Sequence, residues 1–320
     1  MRILVTGGVG VNGAVVTRKL LARDIAPIVV DRRADFSLVS DIEGQFEFAE
    51  LDITNFDAVE RFLTTQRIDR IIHLAAFIDP NMDTEPFKSF QVNASGTVNL
   101  LEAAKRAGVK RFIYASSRAV YGELPENVGS PGYRLISEDH PKNPLLSYDA
   151  TKLAAENLGQ VYRTVFGLEF AALRFSAIYG PGKQARHGKM SLRSRLVEDP
   201  FCGKAVHLQK GGDQIDDLIY VEDAAEGMVS AALAEQLPHA AYNIASGAGC
   251  TLRQFADAVR AAIPGTVIEI GPGLNPLGFS VNRAGIFDTR RAQADFGFKP
   301  KFDLTSGVKD YVEALRRLER

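Results

Sequence analysis

The sequence predicts an α/β fold, a doubly wound parallel sheet joined to a smaller, discontinuous C-terminal lobe. Short apolar runs near 2–6, 27–31, 46–51, 70–75, 111–116 and 169–174 have the length of buried strands. Segments with the apolar spacing of helices separate them, near 13–23, 55–64, 87–107 and 147–166. Strands alternating with helices imply right-handed parallel crossovers, which put helices on both faces of one sheet. A glycine cluster at the first strand-to-helix turn supplies the third indication, since such sheets bind dinucleotides there.

Taken in order, Arg2-Ile3-Leu4-Val5-Thr6 is a short buried strand, Gly7-Gly8-Val9-Gly10-Val11-Asn12-Gly13 is the turn, and Ala14 to Arg23 is the first helix. Glycines at 7, 10 and 13 permit a tight turn, close approach of a pyrophosphate and close helix–strand packing. The helix N-terminus, around Val11 and Asn12, offers free N–H groups and the positive end of a dipole to the phosphates. Pro27-Ile28-Val29-Val30 is the second strand, closed by Asp31. A carboxylate there can accept both adenosine-ribose hydroxyls and repels a 2′-phosphate, which favours NAD over NADP. Arg32, next door, is the group that would hold such a phosphate if Asp31 turned away.

Tyr148-Asp149-Ala150-Thr151-Lys152 opens a later helix. Residues four apart share a helix face, so a phenol and an ammonium meet. The cation is expected to lower the tyrosine pKa from its reference of about 10, making Tyr148 an acid/base for a substrate hydroxyl. Ser116 and Ser117 end the fifth strand, and the C-terminal ends of strands are where open α/β sheets hold ligands.

These motifs, with others in the same order, resemble the extended short-chain dehydrogenase/reductase family of NAD-dependent epimerase/dehydratase type. The resemblance runs from Thr6-Gly7-Gly8 to Phe296-Gly297-Phe298-Lys299-Pro300. Asp52-Ile53 matches the adenine-pocket segment, His73-Leu74-Ala75-Ala76 the strand lining the cofactor, and Asn93-Ala94-Ser95-Gly96-Thr97 the central helix. Tyr114-Ala115-Ser116-Ser117 with Val120-Tyr121-Gly122 matches the catalytic-serine strand and selects Ser117. The resemblance implies a Rossmann fold and a catalytic set of Ser117, Tyr148 and Lys152, with Lys152 also on the nicotinamide ribose. Gly7, Gly10, Val11, Asn12, Asp31, Arg32, Asp52, Ile53, Leu74, Ala75 and Ala76 would contact NAD. Tyr148 and Lys152 would contact it too, with Phe175, while Asn93 would orient the central helix or a water near Lys152. Phe77, Arg118, Arg186 and Arg283 are the expected substrate contacts. The dinucleotide-binding part is expected over 1–178 plus about 216–248, and the substrate lobe over about 179–215 plus 249–320. Leu218-Ile219-Tyr220 and Tyr242-Asn243-Ile244 are the expected points of return. The resemblance further implies a homodimer built from segments 94–107 and 147–166.

The chain also departs from the family. Where nucleotide-sugar members carry Asn after the sixth strand, Arg174-Phe175-Ser176-Ala177 offers Ala177. Where they carry an Arg that touches the diphosphate, Asp216-Asp217-Leu218 offers an acid, which is expected to cost diphosphate binding. Arg118 and the basic loop of Lys183, Arg186, His187 and Lys189 are the alternative cations, and they suit a carboxylated or phosphorylated sugar. The expected activity is hydride transfer to or from a secondary alcohol of a polar, sugar-like molecule without a nucleotide, ending as dehydrogenase or epimerase. A nucleotide-sugar 4-epimerase with an altered diphosphate site is the second reading, and a non-catalytic NAD-binding regulator the third. Intact Ser117, Tyr148 and Lys152 argue against the regulator.

Composition excludes other classes. With 320 residues, a net charge of −1 and a pI near 6.5, the chain has no electrostatic footprint for nucleic acid or an anionic membrane. No apolar run approaches the roughly 20 residues needed to cross a bilayer. Because a strand begins beside Met1, no signal peptide is expected. Two cysteines and five scattered histidines give no disulfide framework and no metal site, and the reading is cytoplasmic.

Overall fold

The computed structural model describes residues 1–78, 83–124, 135–278 and 281–318, and the side chains of 189 and 190 lie outside the described set. Its centre is a seven-stranded sheet of β1 (Ile3–Thr6), β2 (Ile28–Asp31), β3 (Glu47–Glu50), β4 (Arg70–His73), β5 (Arg111–Ser117), β6 (Glu169–Phe175) and the late strand Ala241–Ile244. Their order is the late strand, β6, β5, β4, β1, β2, β3, and every pairing is parallel. The chain therefore winds outward from β1 to β3, then returns to place β4 on the other side of β1. That reversal opens a crevice above the C-terminal ends of β1 and β4.

The strands form here because their residues are apolar on both sides of the pleat, as a sheet covered on both faces requires. Ile3, Val5, Val29, Ile72 and Ile113 bury on one face, under helices α1 (Val11–Leu21) and Val221–Leu233. Leu4, Ile28, Val30, Ile71 and Phe112 bury on the other. There α2 (Phe56–Gln66), α3 (Pro86–Ser89), α4 (Gly96–Arg106) and α5 (Ser147–Phe166) follow in chain order, with α2, α4 and α5 contributing to that core. Between α3 and α4 the predicted single helix over 87–107 contains one π-helical segment, Phe90–Ser95. Helix α5 ends where Gly167 adopts φ +74°, a left-handed stop that glycine makes without strain.

A second core fills the lobe, with Tyr179, Leu192, Leu196, Phe255, Val259, Val308 and Tyr311 buried together. The strand Ile215–Tyr220 belongs there. It pairs with β7 (Ala177–Tyr179) and with Gly249–Thr251 in a separate three-stranded sheet. The expected return at Leu218–Tyr220 is thus made one element later, by the helix from Val221, whose Ala224, Ala225 and Met228 pack on the central sheet. Strand periodicity marks a strand but says nothing of which sheet it joins.

Candidate active site

The crevice holds a cleft of about 600 Å³. Gly7, Gly10, Val11, Asn12, Asp31, Arg32, Asp52, Ile53, Leu74, Ala75 and Ala76 all line it. Its floor is built for close approach. A Cβ on Gly13 would sit 2.1 Å from the Gly7 carbonyl oxygen, and one on Gly7 would sit 2.8 Å from the Ala75 nitrogen. Gly7 also has φ +67°, which L side chains rarely adopt. Helix α1 begins after Gly10 with no side chain capping its first N–H groups, and the buried Asn12 Oδ1 lacks a partner. Open donors at a helix N-terminus and an orphaned amide oxygen suit a pyrophosphate, so the residues present fit a dinucleotide. Asp31 stands at the end of β2 in the same cleft, its carboxylate accepting from the Arg32 N–H at 2.8 Å. Burial pushes its pKa up, against the pull of that bond and of the Arg186 and Arg32 charges.

Beside it opens a second cavity of about 500 Å³, which Ser117, Arg118, Tyr148, Lys183, Arg193, Asp216 and Arg283 help to line. Ile78 and His187 face both spaces, so the two meet there. The candidate catalytic residues come from the end of β5 and the start of α5. Strand alternation separates the two serines: Ser116 turns inward and donates to buried Glu156, while Ser117 faces the cavity and accepts from the Ala119 N–H at 3.1 Å. Glu156 is itself gripped by Arg174 Nη2 at 2.6 Å, and both side chains are buried.

Tyr148 and Lys152 do share a face of α5, with the ammonium 5.7 Å from the Tyr148 ring centre. The expected drop in the Tyr148 pKa is not what the structure gives. Removal from water pushes the phenol up to about 12, the Asp149 carboxylate adds to this, and a hydrogen bond from Ser117 opposes it. Lys152 Nζ donates to the Ala115 carbonyl at 2.8 Å, and burial pulls its own pKa down to about 7.

Other expected residues fall elsewhere. Asn93, in the π-helical segment, does not reach toward Lys152. Its amide is tied to the Phe77 backbone, accepting from N–H at 2.7 Å and donating to C=O at 2.9 Å, and so fixes the loop after β4 that walls the cleft. Phe175 is buried in the core at the end of β6 and does not line the cleft. Arg186 and Phe77 line the dinucleotide cleft rather than the second cavity. From the short helix Lys183–His187, Arg186 donates to the Val9 carbonyl at 2.9 Å, to Asp35 at 2.7 Å and to the Ser37 hydroxyl at 3.2 Å. Arg283 does line the second cavity, donating to the buried Asp149 carboxylate at 2.6 Å. The Lys189 side chain lies outside the described residues.

Asp216, expected to repel a diphosphate, is ion-paired. Its side chain is 3% exposed and sits between two guanidiniums, Arg118 (Nη2 at 3.0 Å, with a second bond from Nη1) and Arg193 (Nη2 at 2.7 Å). Asp216 therefore presents no unpaired carboxylate to the cavity. Arg193 was invisible in the sequence: it carries no local motif, and its partner is 23 residues away. Neighbouring Asp217 has a structural task, its two oxygens accepting from Ser246, Gly247 and Phe287 N–H groups and the Ser246 hydroxyl.

Comparison with known sequences bears on this geometry directly, because residues 3–245 match the NAD dependent epimerase/dehydratase family. The chain belongs to that family. It is similar to a UDP-glucose 4-epimerase of Mycolicibacterium smegmatis, 30% identical with 99% of each chain covered. Among solved structures it resembles the UDP-glucose 4-epimerase of Thermus thermophilus in complex with NAD, with TM-score 0.83, 29% identity and 99% of each chain covered. It also resembles that of Thermotoga maritima with UDP-glucose, with TM-score 0.85, 27% identity and 100% of each chain covered. The protein is an NAD-dependent enzyme of the extended short-chain dehydrogenase/reductase class, moving hydride to or from a secondary alcohol of a polar, sugar-like substrate. No helix among the described residues is long and apolar enough to cross a membrane.

Proposed function

We propose that the sugar is carried on a nucleoside diphosphate and that hydride returns to the opposite face of the carbon it left, so that the enzyme is a nucleotide-sugar 4-epimerase. The observation that carries this reading is the Arg118–Asp216–Arg193 cluster, in which two guanidiniums engage the acid that looks repulsive in sequence, in the cavity that Ser117 and Tyr148 also line. Arg283 adds donors from the opposite arm. Guanidinium forks match phosphate oxygens geometrically as well as in charge, and the names of the similar proteins agree with such a substrate.

In this reading the glycine turn and Asp31 would hold NAD, which would supply the acceptor and donor of hydride. Ser117 holds the substrate oxygen. Tyr148 takes the hydroxyl proton and later gives it back, which needs its phenol ionised; the positive charges of a protonated Lys152 and of the bound cofactor favour that form. Asp31 holds the adenosine ribose. A cytoplasmic homodimer completes the proposal, supported by the exposed stripe of Leu158, Val161 and Val165 on the outer face of α5.

The test is incubation with NAD and UDP-glucose, following the epimer and the absorbance of free NADH. Epimer without net NADH supports the proposal. Accumulating NADH makes the enzyme a dehydrogenase, and tight NAD binding with no turnover on nucleotide sugars, free sugars or sugar acids makes it a regulator. If UDP fails to bind at micromolar concentration, the nucleotide-free sugar is the better substrate class.

A further inference from the structure

The basic wall of the second cavity contains one cation of a different kind. Arg118 and Arg193 face Asp216, and Arg283 faces Asp149. Lys183, 7% exposed and lining the same cavity, has no carboxylate partner among the described residues. The remaining acids near the lining are engaged or exposed: Asp83 accepts from Ser147, Asp213 accepts from Gly273 N–H, and Glu123 is exposed. An ammonium removed from water without a counter-charge is costly, and here burial alone pulls its pKa down to about 8. Such a cost is sustained where a ligand brings the missing anion.

Position then decides which part of the ligand this is. Lys183 and His187 lie four residues apart on the same short helix, neighbours on one face. His187 faces both the dinucleotide cleft and the second cavity, so Lys183 stands about one helical turn from where they meet. In the nucleotide-sugar reading a sugar ring lying beside Ser117 and Tyr148, in the same cavity as Lys183, would approach the cofactor from that meeting place. Burial holds the His187 imidazole neutral, with a pKa near 3, so it adds no competing charge.

We propose that Lys183 recognises a carboxylate on the sugar ring, so that the preferred substrate is a sugar acid carried on a nucleotide. This rests on the nucleotide-sugar reading above. A neutral hydroxymethyl group in the same place leaves the ammonium dry and unpaired, whereas a carboxylate supplies a buried, charge-assisted hydrogen bond. That difference corresponds to a preference of about tenfold or more.

The experiment is calorimetric titration of the NAD-loaded enzyme with UDP-glucuronate and with UDP-glucose, for wild type, Lys183→Met and Lys183→Arg. The acid should bind at least about tenfold more tightly to wild type, the preference should collapse to within about twofold in Lys183→Met, and Lys183→Arg should restore part of it. NAD affinity reports whether each variant is folded. Equal binding of the two ligands by wild type, or a preference that survives Lys183→Met, overturns the assignment while leaving the nucleotide-sugar reading intact. If neither ligand binds, it is the nucleotide reading that fails. The same comparison with free glucuronate and glucose then decides Lys183, equal binding again overturning its role.

Discussion

Replacing Asp216 with Asn tests the charge cluster on which the substrate reading depends. In the native protein one carboxylate, 3% exposed, balances Arg118 at 14% and Arg193 at 18% side-chain exposure. The amide removes the charge but keeps the shape, leaving two guanidiniums facing each other in a largely dry wall. Breaking a buried pair by removing one partner costs about 3–5 kcal/mol. The Asn oxygen still accepts one hydrogen bond and both arginines keep a little solvent, so the lower end, about 3 kcal/mol, is the expected loss. That is about a hundredfold in the folding equilibrium. Chemical denaturation with and without UDP reads both halves of the argument. Asp216→Asn should unfold at clearly lower denaturant, and UDP should stabilise the variant more than the wild type, because its phosphates replace the lost counter-charge. A variant within about 1 kcal/mol of wild type would refute the claim that Asp216 holds the two guanidiniums together in this wall. A variant that UDP stabilises less than wild type would refute the claim that the wall faces phosphates.

Other expectations follow from the same site. Tyr148→Phe should lower turnover by about a hundredfold or more while NAD affinity, by fluorescence titration, stays near wild type; near-normal turnover would remove Tyr148 from its assigned role. Lys152 has a folded pKa of about 7 against an ordinary 10.5, so between those values the unfolded chain binds more protons and wild-type stability rises with pH. Its burial penalty is full below about pH 7, so Lys152→Met should compare most favourably with wild type near pH 6 and lose ground toward pH 10 in melting experiments. A pH-independent difference would mean that Lys152 is not charged and dry in the folded state. Asp31→Ala should narrow the gap between NAD and NADP dissociation constants; if wild type binds the two equally, Arg32 governs the ribose site instead.

How legible the site was depends on the range of the interactions that make it. The dinucleotide cleft was readable because its determinants are local: a strand, a glycine turn and a helix start within the first 13 residues, then Asp31 at the end of the next strand. The choice of Ser117 over Ser116 rested instead on the family resemblance of the segment through Val120-Tyr121-Gly122. The second cavity was not readable in the same way. Asp216 looks repulsive in sequence because nothing near it reveals that Arg118 and Arg193 converge on it from β5's end and from a lobe helix. Arg186 looks like part of a substrate loop, yet three long-range bonds carry it to the other cleft. The Tyr148 acidity was misjudged for a related reason. Helix spacing gives the proximity of phenol and ammonium, but the direction of Lys152 Nζ and the depth of burial are set by the packed sheet end around Ala115.

The reach of Arg186 has a kinetic meaning. By bonding Val9 in the glycine turn and the Asp35–Ser37 segment beyond β2, it ties the lobe to two loops flanking the dinucleotide cleft and forms part of that cleft's wall. Widening the cleft on that side would mean parting those contacts, so loss of Arg186 is expected to shorten the residence time of NAD, as stopped-flow release would show. A dehydrogenase must exchange its nicotinamide at every cycle and gains nothing from such a tether. An enzyme that hands the hydride back to the molecule it came from has no such need, and a long-lived cofactor is to its advantage.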